Sequence, residues 1–126
     1  MPFKEDLPVH LVCPPEDAVE DKIAEAFRMV YTNPPIDKDF LSKKALGEAM
    51  LGDDECGHAS CSLNAKALNA IRLAQMPKPR EKGAMVAKVS IPAGSGKWTM
   101  SKKKHIHFWM YDTFDHTAAF VEMVDF

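Results

Sequence analysis

No stretch of this chain approaches the ~18 consecutive apolar residues that a membrane-spanning helix requires. The first residues, Met1-Pro2-Phe3-Lys4-Glu5-Asp6, also lack the basic start and apolar continuation of an export signal. Charge of one sign is missing as well. The 16 Lys and Arg stand against 18 Asp and Glu, a formal net of −2, so no whole-molecule field draws the protein onto nucleic acid or anionic lipid. Nucleic-acid binding would then fall to a local patch, for which the candidate is Lys97 with Lys102, Lys103 and Lys104. Cysteine is scarce: Cys13, Cys56 and Cys61 are an odd number, which does not suit a closed disulfide framework and fits a reducing compartment. Together these absences set the expectation of a cytoplasmic protein that makes no membrane contact. Internal repeats and low-complexity tracts are absent too, which excludes solenoids, and no segment reads as a linker between domains.

What is present is the composition of a globular chain. With 126 residues, 46% hydrophobic and 27% charged, it is able to bury a core without disulfides or a structural metal, and reads as one domain covering residues 1–126. Between Glu16 and Tyr31 the apolar residues Val19, Ile23, Ala26, Phe27 and Val30 follow the spacing of one helical face, and Asn33-Pro34-Pro35 supplies a stop. This is the clearest helix signal in the chain. A second helix is predicted from about Asp39 to Leu51, with Leu41, Ala45, Leu46, Ala49 and Met50 facing inward and Gly52 as its C-terminal cap. A third runs from about Ser62 to Gln75, with Leu63, Ala67, Ala70, Ile71 and Ala74 as its stripe and Ser60 or Ser62 as its cap. Pro8 to Cys13 reads as a strand or extended segment, Asp53-Asp54-Glu55 as a loop, and Met76-Pro77-Lys78-Pro79-Arg80 as a stiff connector.

After Gly83 the period changes to 2. Met85, Ala87, Val89 and Ile91 alternate with Val86, Lys88 and Ser90, and Ala93-Gly94-Ser95-Gly96 follows as a turn. From His105 to Tyr111 the alternation returns, with Ile106, Phe108 and Met110 on one face and His105, His107, Trp109 and Tyr111 on the other. Residues 117–124 fit either a strand or a short final helix. The predicted fold is α+β, about three helices in the N-terminal part packed on a small antiparallel C-terminal sheet.

Two segments concentrate reactive side chains. Glu55-Cys56-Gly57-His58-Ala59-Ser60-Cys61-Ser62 lies just ahead of the third predicted helix, where a helix dipole would favour a Cys61 thiolate. A nucleophilic cysteine needs a base, and His105 and His107 are candidates across the fold. At i and i+2 on a strand these histidines project from one face about 7 Å apart at the backbone, so they are placed to divide acid and base work. The bland alternative makes Cys61 a small buried hydrophobe and the serines caps. Cys56, His58 and Cys61 carry zinc-type donors, yet Cys-x-His-x-x-Cys is not a usual zinc spacing, so no metal site and no cofactor is expected, with zinc as the alternative. Ile91 stands where a phosphate loop needs its first glycine and Trp98 where it needs a hydroxyl, so Gly96-Lys97 is not such a loop.

The reading that needs the fewest coincidences is an interaction protein that binds a protein partner through Trp109 and Tyr111, rimmed by charges such as Lys102, Lys103 and Lys104. The alternative is a small hydrolase or transferase using Cys61 with His105 or His107, or a metal-independent RNA-cleaving protein using the two histidines.

Overall fold

A computed structural model, which describes residues 1–52 and 54–126, overturns the predicted division into a helical half and a small sheet. Among the described residues six antiparallel strands form one sheet in the order β4-β5-β2-β1-β3-β6, and it draws on both halves of the chain. The strands are β1 (Ile23–Val30), β2 (Cys61–Asn64), β3 (Met85–Ile91), β4 (Gly96–Met100), β5 (His105–Met110) and β6 (Phe120–Met123). The helices are short: α1 (Glu55–His58), α2 (Ala67–Ala74), α3 (Pro77–Glu81) and α4 (His116–Ala119), with a 3-10 turn at Asp37–Phe40.

The clearest predicted helix is β1, and the reason lies in its burial. This strand is central, paired with β2 on one side and β3 on the other. Both of its faces are covered, so Ala26 joins the core formed with Leu63, Val89 and Phe108 while Phe27 joins Ala70, Ala74 and Val86 under α2. A register shift between Ile23 and Ala26 carries these two residues, three apart, into the same core cluster. An irregularity of this kind turns a strand's period of 2 into local i, i+3 spacing. Two-sided burial plus one irregularity therefore imitates an amphipathic helix.

The predicted helix over 39–51 is reduced to the 3-10 turn because its backbone has other partners. Arg28 donates from Nε to the Asp39 carbonyl at 2.9 Å, from Nη1 to that of Ser62 at 2.8 Å and from Nη2 to that of Leu41 at 3.0 Å. The Glu5 carboxylate accepts from the Ser42 amide and hydroxyl. Leu46 and Met50 of the predicted inward stripe are exposed, as is Leu51 at the predicted helix end. The third predicted helix begins as β2 and becomes helical only at Ala67, where Ala70 and Ala74 pack closely on Phe27 and Val86. Pro77 sits at the first position of α3, which tolerates a missing amide donor, so the expected stiff connector is a helical turn. Pro8 to Cys13 forms no strand. Of the expected loop at Asp53-Asp54-Glu55, Asp53 lies outside the described residues, and Asp54 caps α1.

Two C-terminal strands fall where they were expected, but the sheet they join is not the small C-terminal one predicted. β3 and β5 occupy the predicted segments, Trp98 and Met100 pair with Phe108 and Ile106 through β4, and residues 116–123 are a helical turn followed by a strand. Residues 2–4 extend the end of β5, through Lys4 N–H to the Met110 carbonyl and a bridge between Phe3 and Tyr111. Among the described residues no helix is long and apolar enough to cross a membrane.

Candidate functional site

The strand register decides which side chains meet. Ser62 lies opposite His107 and Asn64 opposite His105 across β2 and β5, while Thr99 of β4 flanks His107 on its other side. All five belong to the face turned away from the core of Leu63, Ile106 and Phe108. His105 Nε2 is 2.5 Å from Ser62 Oγ, and His107 Nδ1 is 2.8 Å from Ser60 Oγ. The two imidazoles meet edge to face with centroids 4.6 Å apart, and His107 leans on Trp109 at 5.8 Å.

Helix α1 closes one side of this network. Its Cys56 carbonyl accepts from Trp109 Nε1 at 2.9 Å, and its Gly57 carbonyl accepts from Ser60 Oγ at 2.7 Å. The Asp54 carboxylate caps the helix by accepting from Gly57 N–H at 2.8 Å, and its other oxygen is 3.9 Å from His107 Nε2. Position 57 is tight: a Cβ there would fall 2.3 Å from Asp54 Oδ2 and 2.9 Å from His107 Cε1, so a larger residue has to displace one of those side chains. A disulfide between Cys13 and Cys56 ties α1 to the N-terminal segment, a pairing that the odd cysteine count did not lead us to expect.

The electrostatic surroundings of the histidines differ. Burial pushes the His105 pKa below the ordinary imidazole value, and the adjoining His107 and the Lys43 ammonium push it the same way. Burial also lowers that of His107, but the Asp54 carboxylate opposes the shift. Of the two rings, only His107 has a neighbouring charge that favours its protonated form.

Of the residues singled out in the sequence, His105 and His107 are brought together. Cys61 is not with them: it is 1% exposed, lies opposite Phe108 in the core on the other face, and burial raises its thiol pKa. It also sits in a strand, so no helix dipole favours its thiolate. Trp109 and Tyr111 are 2% and 4% exposed. The Tyr111 hydroxyl bonds the Glu20 carboxylate, and burial with that carboxylate pushes its pKa up to about 12. Lys102, Lys103 and Lys104 are exposed in the β4–β5 turn. The zinc-type donors do not assemble: Cys56 is in the disulfide and Cys61 is on the far face. Among the described residues no three His, Cys, Asp or Glu side chains converge.

Ser60 and Ser62 had been read as caps and Asp54 as part of a loop, while Lys43 and Gly57 had been given no role. Ser60-Cys61-Ser62-Leu63 does alternate polar and apolar, as His105-Ile106-His107-Phe108 does. Paired as strands, the segments place Ser62 against His107, and Cys61 with Leu63 against Phe108 and Ile106, with Ser60 just ahead of the strand.

The fold and the site together define an antiparallel-sheet domain carrying a serine-supported histidine pair. The chain matches no family model, no curated protein and no solved structure.

Proposed function

We propose that the protein is a metal-independent acid–base catalyst that cleaves single-stranded RNA with His105 and His107. The observation that carries this reading is the pairing of two half-buried imidazoles, one beside Lys43 and the other beside Asp54. Burial lowers both, but only His107 has a carboxylate that opposes the shift, an asymmetry suited to a base and an acid acting side by side. Neutral His105 takes the proton of a ribose 2′-hydroxyl, whose oxygen bonds to phosphorus as the bond to the 5′-oxygen breaks. Protonated His107 gives its proton to that leaving oxygen, so the products are a 2′,3′-cyclic phosphate and a 5′-hydroxyl. Lys43 and the exposed Lys102, Lys103 and Lys104 supply positive charge for the phosphate backbone.

The partner-binding reading is weaker because its aromatic anchors, Trp109 and Tyr111, have almost no free surface. The cysteine-dependent reading loses its nucleophile with Cys61 in the opposite core. The cytoplasmic expectation also weakens, since a persistent disulfide favours an oxidising compartment.

The test is incubation with a single-stranded oligoribonucleotide and with the matching oligodeoxynucleotide, in the presence of a chelator. Cleavage of RNA alone, with cyclic phosphate ends and loss of at least about 100-fold in His105→Ala and His107→Ala, is the expected result. No cleavage, or cleavage indifferent to both histidines, overturns the proposal.

A further inference from the structure

The Ser60 hydroxyl has one proton and two close neighbours. The Gly57 carbonyl at 2.7 Å can only accept, and His107 Nδ1 at 2.8 Å can do either. Were the proton given to the imidazole, the hydroxyl and carbonyl oxygens would face each other with no hydrogen between them, at a residue only 4% exposed. The Gly57 carbonyl also accepts from the Ser60 amide at 3.0 Å, so the cost lies in the repulsion of two oxygens held 2.7 Å apart with no proton between them. The hydroxyl therefore donates to Gly57, accepts from the ring, and requires a proton on Nδ1. On the far side of the ring, Nε2 is 3.9 Å from Asp54 Oδ2, beyond direct hydrogen-bond reach, so it is not tied up there.

We infer that Ser60 is a positioning residue that locks His107 as its Nδ1–H tautomer and makes Nε2, on the Asp54 side, the nitrogen that gains and loses a proton. The catalytic meaning of this lock rests on the proposed function: the proton handed to the leaving oxygen comes from Nε2 while Nδ1–H stays on Ser60. The lock itself rests on the hydrogen bonds alone. It also accounts for glycine at position 57, because the turn that brings its carbonyl to Ser60 packs against the His107 ring.

Long-range proton–nitrogen NMR on histidine-labelled protein at about pH 8, where the ring is neutral, reads the tautomer directly. The expected result for His107 is a protonated-type Nδ1 and a bare Nε2, kept in Ser60→Thr and shifted in Ser60→Ala toward the Nε2–H form that free imidazoles prefer. A wild-type His107 with its proton on Nε2 overturns the inference, and so does a tautomer indifferent to Ser60→Ala. Should Ser60→Ala not fold, the wild-type and Ser60→Thr spectra still decide. If RNA is left intact while the Nδ1–H signature is present, the proposed function fails and the tautomer lock stands. If histidine-dependent cleavage occurs with the opposite tautomer, the lock fails and the function stands.

Discussion

The two faces of β5 are built from alternate residues of one six-residue strand and do different work. Ile106, Phe108 and Met110 enter a core with Cys61, Leu63, Val89 and Phe114. His105 and His107 face a helix of one turn and two serines, and remain half-buried. An apolar side chain contributes in proportion to the area it removes from water, whereas an imidazole contributes through hydrogen bonds whose value depends on its proton. One face holds the fold; the other holds groups that titrate.

The sharpest test of that contrast is Phe108→Ala against His105→Ala. Removing the Phe108 ring leaves a cavity among Cys61, Trp98 and Phe114, and is expected to cost roughly 3–5 kcal/mol in urea unfolding. Loss of the His105–Ser62 bond, at a site water can reach, is expected to cost about 1 kcal/mol. Equal costs would mean that the histidine face is as much a part of the core. Trp109 shows where the contrast ends: it shares the histidine face but is buried beneath α1, so Trp109→Ala groups with Phe108→Ala and should also lose several kcal/mol.

Gly57→Ala is the next largest expected effect, about 1–3 kcal/mol from overpacking. The added methyl has to displace Asp54 from its capping position or push His107 off Ser60. The changed His107 signals should then accompany a normal His105–Ser62 pair. A variant with wild-type stability and spectra would show that α1 yields freely.

How much of this the sequence revealed depended on whether one side of a segment met solvent. β5 was legible because its alternation is chemically strong, and β3 because its run is long and β-branched. β1 was not: burial on both faces and the shift at Ile23/Ala26 gave it a helical signature. β2 was hidden for another reason, since only two residues separate its four from a true helix and the period of that helix spread backwards over them. Missing β2 cost the site as well. With Ser60 and Ser62 read as helix caps, nothing placed them opposite the histidines, and Cys61 was assigned to the histidine side when strand alternation puts it on the other. The Cys13–Cys56 disulfide was beyond reach because an odd cysteine count does not say which residue is left over.

The histidine face should also make stability depend on pH in a way the core face does not. Both imidazoles have folded pKa values below the ordinary 6.5, so between the folded values and about 6.5 the unfolded chain binds more protons than the native one. The stability they contribute is complete above about 6.5 and is lost as pH falls through the folded values. Urea midpoints taken through this range should fall with pH in the wild type and fall less steeply in a His105→Gln, His107→Gln double variant. Identical slopes would mean that the pair is not held neutral by the fold.

The smallest expected effect is the most specific, because it separates the two histidines from each other. Asn can replace Asp54 as a cap, accepting from Gly57 N–H with little change in stability, under about 1 kcal/mol. It cannot replace the charge. In Asp54→Asn the force that favours protonated His107 is gone while burial still opposes it, so His107 should titrate at lower pH than in the wild type. His105, lowered by burial, His107 and Lys43, should move much less. Side-chain NMR titration of the two rings reads both shifts in one experiment. An unmoved His107 would remove the basis for assigning it the acid's role. Equal shifts in both rings would show a pair that titrates as one unit, whose apparent values belong to neither residue.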